Sequence, residues 1–149
     1  MDQMLLASQA FPHNGMIPPE HTCDGADVNP PLTIRNVPSK SMSLALIVDD
    51  PDAPRGTWVH WVVWNIEGDT TEIPANSVPP GSLQGTNDFG KQGYGGPCPP
   101  SGTHRYFFKM YALDTSPALK PGATKAQLEE AMKGHILGKA ELIGLYRRR

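Results

Sequence analysis

Apolar residues fall into short runs that Gly, Pro and polar residues separate. Four of these runs are rich in Val, Leu, Ile or aromatic residues, which is the pattern of buried strands. They predict strands at residues 43–49, 58–66, 104–113 and 139–146. In the last run Leu142, Gly144 and Tyr146 fall on one face, because side chains alternate along a strand. Weaker candidates near the N-terminus are residues 8–11 and 32–34.

One segment has the pattern of a helix. Thr124 and Gln127 have the spacing of a capping box, Leu128 and Met132 fall on one face, and Gly134 stands where such a helix would end. Many strands with one or two short peripheral helices predict a mostly β fold. The expected architecture is an antiparallel β-sandwich, in which alternate residues of each strand fill the space between two sheets.

Gly and Pro argue against a helical bundle and mark one long loop. The chain has 15 Gly and 16 Pro among its 149 residues, and its length suits a single domain over residues 1–149. From residue 79 to residue 102, half of the residues are Gly or Pro. Long loops inside compact domains are usually functional, so we expect this loop to border a site. A linker is the alternative, but this loop runs directly into the strand predicted at 104–113.

Charge and hydropathy restrict the partners. The net charge is −2, and Lys and Arg are scattered apart from a terminal run at residues 147–149, which we interpret as a solvated tail. We therefore expect no nucleic-acid binding. No apolar run approaches the ~20 residues that span a bilayer, and the N-terminus lacks a charged lead before an apolar segment. We expect no membrane insertion and a cytoplasmic location.

Two cysteines, Cys23 and Cys98, are too few for a disulfide scaffold. Without a sign of secretion, reduced thiols are the expectation, and pairing stays open in case the two loops approach each other. Cys98 lies between two prolines with no His or acid in a recognisable catalytic pattern beside it. We interpret it as a structural thiol rather than a nucleophile.

Polar groups that could bind an anion stand at the ends of the predicted strands. His104 and Tyr106 share one strand face, with Arg105 turned away. His60 shares a face with Trp58 and Val62 by the same alternation. If the two strands meet at one end of the sandwich, the imidazole and phenol groups line one mouth and can donate hydrogen bonds to phosphate oxygens.

Acidic and glycine-rich segments complete this candidate site. Asp50 and Asp52 follow the first strong strand, and we assign them to orienting the donors, because a carboxylate behind a histidine fixes its tautomer and favours its charged form. Backbone amides around Gly93–Gly96, including Gly95, could add donors at close approach. Each feature also has an ordinary explanation, since strand histidines are often structural and Asp-Pro-Asp is a common turn.

Aromatic residues in the strands are expected to form the core rather than a ligand platform. They are Trp58, Trp61, Trp64, Phe107, Phe108 and Tyr111.

Several motifs together resemble the phosphatidylethanolamine-binding proteins, which include the Raf kinase inhibitor proteins. The motifs run from Asp24 to Tyr146 and have the order of the compact bacterial and archaeal branch. They are Asp24-Gly25, Asn29-Pro30-Pro31-Leu32, Asp50-Pro51-Asp52-Ala53-Pro54, His60-Trp61-Val62-Val63-Trp64-Asn65, Gly93-Tyr94-Gly95-Gly96-Pro97-Cys98-Pro99-Pro100 and Gly102-Thr103-His104-Arg105-Tyr106.

The resemblance implies a pocket for phosphate, acetate or a phosphorylated headgroup, with no cofactor. By matching motifs it implicates Asp50, His60, His104 and Tyr106, with Asp52 in support, and the loop residues Gly95 and Pro99. Mammalian members continue past the last strand into a helix that flanks the pocket mouth. This chain stops at Arg149, so the pocket is expected to be more open or covered by a second subunit in a homodimer.

Three functional interpretations remain open. The first is a non-enzymatic module that binds an anion such as phosphate. The second follows the resemblance, since some members inhibit a serine protease or a kinase through loops around the pocket. The third is a metal-dependent enzyme in which His60, His104 and an aspartate supply a two-His-one-carboxylate set. The chain has no Gly-x-Ser-x-Gly elbow, so hydrolysis with a serine nucleophile is the least favoured outcome.

Overall fold

The computed structural model describes residues 3–148. Met1 and Asp2 lie outside the described residues, and so does Arg149, the last residue of the terminal arginine run. A 3-10 turn covers Pro19–His21, and the helix α1 covers Lys125–Met132. The strands in chain order are β1 Leu5–Ala7, β2 Gly15–Met16, β3 Leu32–Arg35, β4 Ser43–Asp50, β5 Trp58–Glu67, β6 Glu72–Ile73, β7 Leu83–Gln84, β8 His104–Leu113 and β9 Ile136–Tyr146.

Two sheets organise these strands. The larger sheet has the order β2-β9-β8-β4-β5-β7, and the smaller has the order β1-β3-β6. Neighbouring strands are antiparallel except β2, which pairs in parallel with the end of β9. The predicted fold class, a mostly β sandwich-like fold with a short helix, is confirmed, and β4, β5, β8 and β9 are the four strongly predicted strands.

The central strand β4 explains why its sequence shows no alternation. All eight of its residues are buried. Leu44, Leu46 and Val48 pack into the cluster between the two sheets, whereas Ala45 and Ile47 pack into a second cluster beneath α1. Both faces of the middle of this strand are covered, so residues 44–48 are all apolar and form a continuous run.

The helix α1 covers the outer face of the large sheet and has the predicted ends. The Thr124 hydroxyl accepts from the Gln127 amide at 3.2 Å, and the Gln127 side chain accepts from the Thr124 amide at 2.9 Å. Leu128 and Met132 are buried against the sheet. Gly134 follows with a φ of 79°, a conformation that glycine adopts without strain.

Two predictions near the chain ends need correction. The strand predicted at residues 8–11 is wrong, because β1 lies just before it and the Ser8 hydroxyl accepts from the Ala10 amide at 3.1 Å in a turn. Strand β9 begins at Ile136, before its predicted start at residue 139. Its first residues, Ile136 and Leu137, are exposed, so they add no alternating pattern. Within residues 3–148 no helix is long and apolar enough to cross a membrane.

Candidate functional site

A cavity of about 220 Å³ lies at one end of the large sheet. The antiparallel ladder pairs Asp50 with Trp58 and Asp49 with Phe107, which brings the end of β4 beside the starts of β5 and β8. The polar residues that line the cavity are Asp50, His60, His104 and Tyr106. The remaining lining residues are Ala53, Pro54, Trp58, Phe89, Cys98, Pro99 and Pro100. Four separate segments therefore contribute polar groups or walls to one space.

Asp50 holds the ring of His104. Nδ1 of His104 lies 2.7 Å from Oδ2 of Asp50, and both side chains are buried. The other carboxylate oxygen accepts from the Asp52 amide at 2.7 Å, which fixes the turn after β4. A carboxylate can only accept, so Nδ1 of His104 carries its proton and Nε2 is left for the cavity.

His60 is oriented in a similar way, but by a neutral partner. Its Nδ1 lies 2.7 Å from the carbonyl oxygen of Gly95, and the Gly95 amide donates back to the His60 carbonyl at 3.0 Å. His60 is 3% exposed, and burial lowers its pKa against the opposing effects of the Gly95 carbonyl and the charges of Asp50 and Asp49. His60 is therefore held towards its neutral form.

A β-bulge aims His60 at the cavity. Val48 pairs with Trp61 and Asp49 pairs with Val59, so His60 is the extra residue on β5. The bulge reverses the alternation, and Val62 packs in the cluster beneath α1 rather than on the side of His60. The predicted shared face of His60 and Trp58 is therefore found at the cavity, but the inclusion of Val62 is wrong.

The hydroxyl of Tyr106 is buried and has no hydrogen-bond partner among residues 3–148. Its ring stacks near His104 with centroids 6.4 Å apart and meets the ring of His60 edge-on at 5.2 Å. Burial, followed by the charges of Asp50 and Asp52, raises the pKa of Tyr106 far above its usual value. The group stays a phenol, and a buried unpaired hydroxyl beside a cavity is positioned to bind a ligand atom.

Asp52 and Gly95 support the site without lining the cavity. Both carboxylate oxygens of Asp52 accept from the guanidinium of Arg105, each at 2.9 Å, and the Arg105 amide adds a third contact at 2.9 Å. The side-chain hydrogen bond with Arg105 lowers the pKa of Asp52 from 3.8 to about 2. Asp52 thus fastens the turn after β4 to the start of β8, and Gly95 acts through its contact with His60.

Two amides of the glycine-rich loop, those of Gly95 and Gly96, are not available as predicted. The Gly95 amide binds the His60 carbonyl at 3.0 Å, and the Gly96 amide binds Oδ1 of Asp27 at 2.8 Å. The expectation that these two amides add donors for an anion is wrong. Their contacts with groups distant in sequence hold the loop in place instead.

Two aromatic residues form the rim of the cavity. Trp58, predicted to be core, is 38% exposed, and its ring meets that of Phe89 edge-on at 5.5 Å. Trp61, Trp64 and Phe108 are buried in the core, as predicted. Sequence reasoning missed Phe89, although a lone aromatic residue in a polar, Gly-rich loop is a signal that could have singled it out.

A disulfide closes one wall of the cavity. Cys23 and Cys98 form a disulfide bond, so the expectation of reduced thiols is wrong. The Cys23 amide also donates to the Pro97 carbonyl at 3.1 Å, and the Tyr94 hydroxyl donates to the His21 carbonyl at 2.6 Å. The sequence could not show this pairing, because 75 positions separate the two residues and only the folded sheet brings their loops together.

A metal centre finds no support in the geometry. Among residues 3–148 no three His, Cys, Asp or Glu side chains are arranged to hold a metal ion.

Comparisons with known proteins agree with the family resemblance that the sequence motifs indicate. The profile of a family described as phosphatidylethanolamine-binding protein matches residues 7–147. A UPF0098 protein of Methanothermobacter thermautotrophicus is 55% identical over 150 residues, which are 97% of this chain and 99% of that protein. A UPF0098 protein of Pyrococcus horikoshii is 50% identical over 154 residues, which are 97% of this chain and 77% of that protein.

Two solved structures are similar over nearly the whole chain. The phosphatidylethanolamine-binding protein homologue CT736 of Chlamydia trachomatis has a TM-score of 0.96 at 42% identity and covers 100% of both chains. YbcL of E. coli is described as a new member of the mammalian phosphatidylethanolamine-binding protein family. It has a TM-score of 0.92 at 31% identity and covers 99% of this chain and 100% of its own.

Proposed function

Since this chain belongs to the phosphatidylethanolamine-binding protein family, we propose that it binds a small oxyanion, such as phosphate, acetate or a phosphorylated headgroup, between His60 and His104. The proposal includes no catalytic step. One observation carries it: the Tyr106 hydroxyl, which has no hydrogen-bond partner in the described part of the chain, lies in the same cavity as two histidine rings whose Nδ1 atoms are already bound to protein oxygens.

The chemistry of the cavity suits an anion that His104 and Tyr106 hold by donated hydrogen bonds. A phenol that keeps its proton donates to an oxyanion without carrying charge of its own. Protonated His104 donates from Nε2 while its Nδ1–H stays on Asp50, and its positive charge offsets the carboxylate that would otherwise repel the ligand. His60 and the apolar walls exclude water, which strengthens each of these contacts.

The size of the cavity limits the ligand. Its volume of about 220 Å³ is below the ~300–1,000 Å³ typical of pockets for drug-sized ligands. A phosphate or a small headgroup fits such a space, and a lipid's acyl chains would have to lie outside it. Pro99, Trp58 and Phe89 would then contact the organic group that is attached to the anion.

Titration with inorganic phosphate, followed by calorimetry and NMR, tests the proposal. His104→Asn keeps a side-chain amide near Asp50 but removes Nε2, and we expect it to abolish phosphate binding without unfolding the protein. His135→Asn is the matched control, because His135 makes the same Nδ1 contact with Asp114, at 2.7 Å, on the surface. Unchanged phosphate affinity in His104→Asn would refute the proposal.

The proposed role of a charged imidazole also has a pH signature. An imidazole that gives up its positive charge attracts an anion less, so phosphate binding should be weaker at alkaline than at acidic pH. A flat profile between about pH 5 and 8 would count against imidazolium donors.

Inhibition of a protease or a kinase is a second proposed role. The exposed aromatic pair of Trp58 and Phe89 at the rim favours it, since exposed aromatic residues are typical anchors of protein interfaces. The same rim could meet a second copy of the chain in a homodimer. Titration of a panel of serine proteases and kinases with the protein should reveal stoichiometric inhibition that Trp58→Ala abolishes. Analytical ultracentrifugation tests whether the chain forms the homodimer.

A further inference from the structure

His60 presents a hydrogen-bond acceptor, rather than a donor, to the cavity. From this geometry, and resting on the proposed anion binding, we infer that the site selects oxyanions that still carry at least one P–OH proton, such as singly ionised phosphate monoesters or phosphonates. The ligand's own hydroxyl donates to Nε2 of His60. His60 is thereby a residue that determines specificity.

The contact with Gly95 determines which nitrogen of His60 is free. A carbonyl oxygen can only accept, so the Nδ1 atom that lies 2.7 Å from it must carry hydrogen. In a neutral imidazole the other nitrogen, Nε2, then has a lone pair and no proton. Rotating the ring by half a turn would place a carbon against the carbonyl and lose this hydrogen bond. The backbone is also fixed, because the Gly95 backbone amide and the Asn87 side-chain Nδ2 both donate to the His60 carbonyl.

The surroundings keep His60 in its neutral form. The residue is 3% exposed, and its ring lies edge-on to the rings of Tyr106, with centroids 5.2 Å apart, and Phe89, with centroids 5.4 Å apart. This burial lowers the pKa of His60 despite the nearby carboxylates. The ionisable groups around the ring are Asp49 and Asp50 on β4 and His104 and Tyr106 on β8. The carboxylates are themselves paired, Asp50 with His104 and Asp49 with two lysines.

The cavity therefore offers a ligand hydrogen-bond donors and one hydrogen-bond acceptor. Tyr106 and protonated His104 can donate to two ligand oxygens, and His60 needs a donor in return. An anion without a proton would place an oxygen lone pair against the nitrogen lone pair and leave a buried acceptor unpaired. Sites that are built to pair a ligand hydroxyl reject analogues that lack it.

Two small anions of equal charge and similar shape test this inference. At about pH 5.5, below the second ionisation of phosphoryl groups, methylphosphonate carries one negative charge and one P–OH group. Methanesulfonate also carries one negative charge, but it has no hydroxyl. Calorimetric titration of the full chain should give at least about tenfold tighter binding of methylphosphonate.

Two variants assign the selectivity to His60. His60→Asn retains a side-chain amide that can reach the Gly95 carbonyl but removes Nε2, and we expect the ratio of the two affinities to fall below about twofold. His135→Asn, on the surface, should keep the wild-type ratio.

Each outcome decides a different point. If neither anion binds at millimolar concentration, the proposed anion site itself is wrong. Equal binding of both anions to the wild type, or a preference for the sulfonate, overturns the inference and leaves anion binding intact. A preference that persists in His60→Asn also overturns it. If that variant does not fold, NMR of the wild-type complex replaces it, and an Nε2–H proton on His60 with bound methylphosphonate at about pH 7 would contradict the inference.

Discussion

Removing the disulfide should lower stability by a large part of the total. The bond joins residues 75 positions apart, so in the unfolded chain it closes a long loop. In the loop-entropy relation, ΔS ≈ −2.1 − 1.5R ln n, a loop of this length corresponds to about 15 cal/mol/K, or about 4.5 kcal/mol at 25 °C. Typical domains have only about 5–15 kcal/mol of unfolding free energy. The double variant Cys23→Ala/Cys98→Ala should therefore remain folded but be less stable by about 3–4.5 kcal/mol.

The native loops should keep their positions, because other contacts also hold them. The Cys23 amide binds the Pro97 carbonyl at 3.1 Å, the Tyr94 hydroxyl binds the His21 carbonyl at 2.6 Å, and the Gly96 amide binds Asp27 at 2.8 Å. The loss then arises mainly in the unfolded state. We expect phosphate affinity, if the proposed site binds it, to change less than about threefold at temperatures well below the unfolding transition.

Urea unfolding, monitored by tryptophan fluorescence, measures this effect. Trp61 and Trp64 are buried, so their emission reports the loss of the core. Wild-type protein in a reducing agent should behave like the double variant, and a reducing agent should not change the variant itself. A loss below about 1 kcal/mol would refute the loop-entropy argument. A large loss of phosphate affinity in folded variant protein would show instead that the bond shapes the cavity wall.

Three further predictions concern the side chains of the site. Tyr106→Phe removes a buried hydroxyl that has no partner within residues 3–148, so thermal unfolding should show equal or higher stability, whereas phosphate titration should show about three- to tenfold weaker binding. Asp50→Asn removes the charge that holds His104, so phosphate affinity should fall by about tenfold or more in the same titration. An unchanged affinity would contradict this prediction. Arg105 lowers the pKa of Asp52 to about 2, so the contribution of this pair to stability is present above pH 3.8 and is lost as the pH falls towards 2. The contribution is small, because the Arg105 side chain is exposed to solvent. Urea unfolding of Asp52→Asn should lack that loss, and identical pH profiles for variant and wild type would contradict it.

The elements that could be predicted are those that local patterns specify. The unbroken apolar run of β4 and the capping box of α1 depend on neighbouring residues, and both were found where the sequence indicates. The short strand β1 was missed, because a strand of three residues has too little alternation to be distinguished. The face of Val62 was wrongly predicted, since a bulge depends on how two strands pair and not on either strand alone.

The sequence by itself determined the family and the mostly β fold, and it identified Asp50, His60, His104 and Tyr106 as candidates that the structure brings to one cavity. Only the tertiary structure decided that Cys23 pairs with Cys98, that Asp52 turns to Arg105, and which nitrogen of His60 is free. Motifs and hydrophobic periodicity depend on residues that are close together in the sequence, so they predict the local structure of short segments. Pairing, tautomer and burial depend on partners that lie 35 to 75 positions away, and these partners meet only when the sheets close.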